Sequence, residues 1–125
     1  MNANVLNLVG RIGLALIFVM AGFNKIGGYE GTVGYMESMG VPGALLPLVI
    51  ALELGGGLAI IAGFFIKPIA LALAGFSVAA AVLFHGNLGD QMQMILFMKN
   101  IGLAGGFLLL AANGPGDYSV DAKRQ

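Results

Sequence analysis

The sequence predicts an all-α fold: a bundle of four transmembrane helices, an integral membrane protein built as one domain over residues 1–125. Three observations carry this. Of the 125 residues, 58 % are hydrophobic and only 10 % are charged, whereas a soluble domain has about 45–50 % apolar and about 25 % charged residues. The mean hydropathy is +0.93, so polar groups are too few to cover a globular surface and lipid is the expected solvent. Apolar runs then recur along the chain, each close to the length that crosses a hydrocarbon core of about 30 Å. In lipid each run must satisfy its own backbone hydrogen bonds, which selects helices.

The first span is expected over about 5–23, from Val5 to Phe23. It has no Lys/Arg-rich start and no A-x-A site behind it, so it reads as a retained helix and not a cleaved signal. The segment NKIGGYEGTVGYMESMGVPG (24–43) is rich in glycine and long enough for a short interfacial helix around Thr32 to Met39, ended by Gly40 and Pro42. The second span covers about 43–65, and a tight turn at Lys67–Pro68 leads into the third, about 68–84. The loop HGNLGDQ (85–91) precedes the fourth span, about 92–112, and a polar tail occupies 113–125.

Cytoplasmic loops carry the excess of Lys and Arg. Lys67, Lys123 and Arg124 stand on one side against Lys25 on the other, which directs both termini to the cytoplasm. Ala51, Gly55, Ala59 and Gly63 repeat every four residues, as do Gly102 and Gly106. Such small-xxx-small ridges let membrane helices approach closely, so these residues are expected at helix contacts.

Arg11, Glu53 and Lys99 fall inside predicted spans. Each costs about 2.5–3.5 kcal/mol at a helix centre on insertion scales, so three unrelated occurrences are improbable. Counting about 1.5 Å per residue, Arg11 and Lys99 lie about 10 Å in from opposite ends and Glu53 lies near the midplane. Long side chains snorkel, so Glu53 is expected to be the central anion of a buried network with Arg11 and Lys99. Lys25 lies on nearly the same helical face as Arg11, and His85 closes the third span on the outer side, with Asp90 nearby. Asn100 points about 100° away from Lys99 and is left outside the network. A net positive interior of this kind suits an anionic or carbonyl-bearing ligand, such as a quinone headgroup or an oxyanion. The same ions acting only as a packing staple is the competing reading.

Other chemistries are excluded or weakly signalled. The formal charge of +0 offers no field for nucleic acid. With no cysteine, there is no thiolate nucleophile, disulfide or Cys-ligated metal. His85 is the one histidine, which falls short of a zinc or haem ligand set and suits a helix-end hydrogen bonder. Met92, Met94 and Met98 are expected to fill gaps between helices rather than bind soft Cu(I), and no metal site is expected. GGYEG and GPGD match neither a Walker loop nor a dinucleotide fingerprint. No self-contained active site is legible.

Several stretches, in this order and spacing, resemble one family. They are GRIGLALIFVMAGFNKI with Arg11, Gly22 and Lys25; YMESMGVP; ALELGGGLAIIAGF around Glu53; His85; and MKNIGLAGGFLLLAANGPGDYSVD with Lys99. Together they resemble the DoxX family of small bacterial inner-membrane proteins over nearly the whole chain. The resemblance implies a four-helix membrane bundle with charged positions at Arg11, Lys25, Glu53, His85 and Lys99. It also implies a place beside redox systems, as in membrane subunits of thiosulfate:quinone oxidoreductase or partners of superoxide dismutase and a sulfurtransferase, with a tie to oxidative stress. Relatives in the wider clan resemble assembly or trafficking helpers.

Three functions therefore stand open. The first is a membrane subunit of a redox complex, surrounded by lipid, with protein partners and a pocket for a quinone-like or anionic molecule. The second is a structural or assembly factor. The third is a small-solute or ion permease, which at this size requires a homo-oligomer.

Overall fold

The computed structural model describes residues 2–123; Arg124, counted above toward the cytoplasmic charge, lies outside the described residues. Helix α1 runs Ala3–Gly27, and the Asn2 side chain accepts the Val5 N–H at 2.9 Å to satisfy its first turn. Helix α2 is the interfacial segment, Tyr29–Ser38, beginning a few residues earlier than expected. Helix α3 spans Gly43–Ala62. It opens with a 3-10 turn at Gly43–Leu45, and Pro47 sits in its first α-helical turn, where a missing N–H is harmless. A π-turn over Ala51–Gly55 holds Glu53, and Gly63 ends the helix in the left-handed region at φ 77°.

Helix α4 runs Ile66–Phe84 and α5 runs Gln91–Asn113. Asp90 caps α5 by accepting the N–H groups of Met92 and Gln93 at 2.9 and 3.3 Å. A short helix, α6, closes the tail at Val120–Lys123.

Four helices, α1, α3, α4 and α5, are long and apolar enough to cross a membrane. They alternate in direction. Helices α4 and α5 pack along one another after a short loop, while α1 packs chiefly on α3. Phe18, Ile60, Leu73 and Phe107 form the centre of the core, with Phe18 and Phe107 edge to face at 5.5 Å. Leu6, Leu16, Met20, Leu48, Leu71 and Leu109 face outward. An outer surface of that composition is matched by hydrocarbon, not by water. Met92, Met94 and Met98 are also exposed, so they face outward instead of filling gaps between helices.

The close approach of α1 and α3 is made by other glycines than the expected ridge. Ala51 and Gly55 are exposed and Ala59 is only partly buried, whereas Gly56 and Gly57 are buried. A Cβ on Gly57 would fall 2.8 Å from Val19 Cγ2 and 3.2 Å from the Ala15 carbonyl oxygen. One on Gly22 would fall 2.9 Å from the Leu54 nitrogen. The reason is periodicity: a strict four-residue spacing advances about 40° per repeat, so the stripe walks round the helix and leaves the contact face. In α5 only Gly106 meets α1, at 2.8 Å from Leu14 Cδ2, while Gly102 has open space. Gly63 is buried at the helix cap, beside Ser119 and Arg11, and not on a packing ridge.

Gly57→Ala should therefore destabilise the protein by about 1–3 kcal/mol through overpacking. Gly55→Ala, which meets nothing within 4 Å, should leave stability unchanged or raise it. Thermal unfolding of both variants in detergent checks the pair.

Candidate functional site

The contact of Gly22 with Leu54 and of Gly57 with Val19 sets the antiparallel register of α1 and α3. That register brings Lys25, one turn beyond Gly22, opposite Glu53. Lys25 Nζ lies 2.8 Å from Glu53 Oε1, and this ion pair is the partner of that oxygen. Glu53 is 5 % exposed, so its charge depends on Lys25.

The pair forms part of the wall of a chamber of about 430 Å³ between α1, α2, α3, α4 and α5. Phe18, Phe76, Leu83, Phe84 and Leu103 give it apolar walls. Lys99, Asn100, His85, Ser77, Thr32 and Tyr35 add polar groups. The Ser77 hydroxyl is already committed, donating to the Leu73 carbonyl at 2.8 Å. His85 Nδ1 lies 2.8 Å from Gln93 Oε1, tying the end of α4 to the first turn of α5. Tyr35 stacks on Phe84 with ring centroids 5.5 Å apart, which holds α2 against α4.

Of the five charged or titratable positions expected at the site, Lys25, Glu53, His85 and Lys99 line this chamber and Arg11 does not. Arg11 is 1 % exposed and lies near the opposite end of the bundle. Its Nε donates to Asn7 Oδ1 at 2.9 Å, and Nη1 donates to the carbonyls of Ile60 and Ile61 at 3.1 and 2.9 Å. Its Nη2 donates to the Tyr118 carbonyl. The Asp121 carboxylate adds a coulombic attraction. The expected Arg11–Glu53–Lys99 network is thus replaced by Lys25–Glu53, with Lys99 on the same chamber. The physical cause is the register: Arg11 faces Ile60 and Ile61, about seven residues or 10 Å along α3 from Glu53. Asp90 is absent from the chamber wall because it caps α5.

Two features escaped the sequence reading. Asn100 is buried and lines the chamber beside Lys99, although the two side chains diverge around the helix. The polar tail also folds back on the bundle. Asp117 accepts from Asn4 Nδ2 at 2.9 Å, and the Asp117 N–H donates to Asn4 Oδ1 at 3.1 Å. The Asp121 carboxylate accepts the N–H groups of Phe65 and Ile66, both at 2.8 Å, so it caps α4. The Asp121 N–H donates to the Gly63 carbonyl at 2.9 Å. This clamp steadies Phe65, whose φ of 49° is rare for a bulky residue. The signal was present: Asn4, Asn7 and Arg11 are spaced for one face of a helix and form a polar stripe in an apolar span.

The arrangement defines a class: a four-helix integral membrane bundle with a largely apolar chamber carrying a few polar groups at one end and a charge-clamped tail at the other. The DoxX family profile matches residues 6–86, and the chain belongs to the DoxX family. It is 55 % identical over 114 residues to Inner membrane protein YqjF of Escherichia coli K12, covering 91 % of this chain and 88 % of that one. It is 41 % identical to Inner membrane protein YphA of the same organism, covering 95 % and 90 % of the two chains. Over 103 residues it is 30 % identical to the Bacillus subtilis 168 protein named "Putative oxidoreductase CatD", covering 78 % and 75 %. No solved structure gives a significant match.

Arg11→Met should cost about 3–5 kcal/mol, because it strips a buried cluster of acceptors of their donor. The tail should then detach and become cleavable by a protease that leaves the wild-type tail intact, which limited proteolysis in detergent checks.

Proposed function

We propose that the chain is a membrane subunit of a redox-associated complex whose chamber holds a quinone-like or anionic small molecule. One observation carries the reading: apolar walls and the groups Lys25, Glu53, His85, Lys99 and Asn100 share a single cavity of about 430 Å³. Small-molecule sites are typically about 300–1,000 Å³, largely apolar, with a few convergent polar groups. Glu53 balances Lys25, so Lys99 leaves one surplus positive charge on the wall. That surplus favours an acceptor oxygen on the ligand.

A quinone suits this donor set. Its ring and tail match the apolar wall, and its carbonyl oxygens would accept from Lys99, Asn100 or His85. When bound, a quinone supplies two-electron redox chemistry. Lys25 and Glu53 keep the head end of the chamber polar, and protein partners deliver the electrons. The name of the relative "Putative oxidoreductase CatD" supports this reading.

A second reading, a structural or assembly factor, draws support from Arg11. That residue commits its donors to carbonyls and an amide of the chain itself.

The names of the two E. coli relatives support an inner-membrane location, and the proposal adds that both termini are cytoplasmic, on the Lys/Arg bias alone. Lys67 and Lys123 flank the clamped end, so the chamber end would face outward. Because the chain has no cysteine, Lys123→Cys carries a unique label site. In intact spheroplasts it should resist a membrane-impermeant maleimide and react once the membrane is permeabilised.

Purified protein in lipid nanodiscs should rise in Tm by about 2–4 °C with saturating decyl-benzoquinone or laurate. The shift should vanish in Lys99→Met and shrink in Glu53→Gln. No shift with either probe, or an unchanged shift in Lys99→Met, overturns the ligand reading and leaves the assembly factor.

A further inference from the structure

A second, open cavity of about 540 Å³ adjoins the chamber where α1 ends and α2 begins. Asn24, Gly28 and Gly31 belong to this vestibule alone, whereas Ala21, Lys25, Thr32 and Tyr35 line both spaces. The partition between vestibule and chamber therefore consists of those four residues.

They differ in what can move. Ala21 is carried by the α1 backbone, and the Thr32 hydroxyl is anchored, donating to the Gly28 carbonyl at 3.0 Å. Lys25 and Tyr35 are held only by side-chain contacts, the ion pair to Glu53 and the stack on Phe84. The Lys25 side chain is 28 % exposed and Tyr35 is 47 % exposed, so both have room to turn outward. Rotamer changes of this kind need no backbone movement and are fast. On the vestibule side the α2 backbone is bare, since a Cβ on Gly31 meets nothing within 4 Å.

The vestibule lies at the end of a membrane-spanning helix, the level at which an amphiphile keeps its head. Resting on the ligand-holding role proposed above, the geometry points to a side-chain gate made by Lys25 and Tyr35. Through it an amphiphile with an anionic or carbonyl oxygen head passes from the membrane interface into the chamber. Lys25 exchanges Glu53 for the incoming head and returns to Glu53 as the head moves on toward Lys99. Tyr35 opens by leaving Phe84 and closes by stacking again. Lys25 is thus a positioning residue, and Tyr35 sets the rate of passage.

The test measures exchange of tritiated decyl-benzoquinone and tritiated laurate on the full chain in nanodiscs. Gly31→Cys lines the vestibule but not the chamber, and its thiol is unique in a chain without cysteine. A bulky maleimide on that thiol should slow association and release by about tenfold or more, with affinity kept within about threefold. The same reagent on Lys123→Cys, at the clamped end, should change neither rate. Tyr35→Ala should speed both rates, and Tyr35→Phe, which keeps the stack on Phe84, should speed them far less. Unchanged rates in labelled Gly31→Cys, or equal slowing in labelled Lys123→Cys, overturn the gate alone. So does a Tyr35→Ala variant that loses thermal stability with both rates unaltered. Failure of the wild type to bind either probe overturns the ligand reading itself, and the gate with it.

Discussion

The backbone-to-backbone contact of α1 with α3 is the constraint from which the rest of the structure follows. Gly22 and Gly57 remove the side chains that would hold the helices apart, and Val19 and Leu54 fill the space they leave. Once these four residues meet, the relative slide of the two helices is decided. Lys25 then lies against Glu53 at the chamber end, and Arg11 lies against the last carbonyls of α3 at the other. One register sorts the charges of two helices into two separate clusters.

The two clusters solve the burial problem differently. At the clamped end Arg11 finds neutral acceptors close by, and its fork of donors matches several carbonyls at once. The tail completes the cluster by bringing Asp121, which also caps α4 and steadies the left-handed Phe65. Such a cluster commits four of the five guanidinium N–H groups to acceptors within the chain. At the chamber end the ion pair sits beside Lys99, His85 and Asn100, on the wall of a space lined mostly by apolar side chains. Lys99 and Asn100 line that space, and the proposed ligand rests on them.

The π-turn around Glu53 belongs to this contrast. Wide turns inside α-helices are rare and are frequent at functional sites, because they loosen the backbone ladder where a side chain must be aimed. Ala51–Gly55 is such a turn, and its central residue is the glutamate that points at Lys25. Gly57, four residues further on, lets α3 press on α1 beyond it.

Composition alone determined that this chain is a helical membrane protein, since 58 % hydrophobic residues and 10 % charged ones leave no surface for water. Run lengths located the four spans near their observed ends, because hydrocarbon thickness is a one-dimensional constraint that a linear sequence records. The rarity of charge in a span picked out Arg11, Glu53 and Lys99, and position at the span ends added Lys25 and His85; all of these but Arg11 line the chamber. Which cation meets Glu53 was not legible. Pairing depends on the slide and rotation of one helix against another, and those are set by a few ångströms of glycine contact that no single helix encodes. For the same reason the period-four ridge misled, the docking of the polar tail on the bundle was not legible, and the shared wall at Lys25 and Tyr35 emerged only once the helices were assembled.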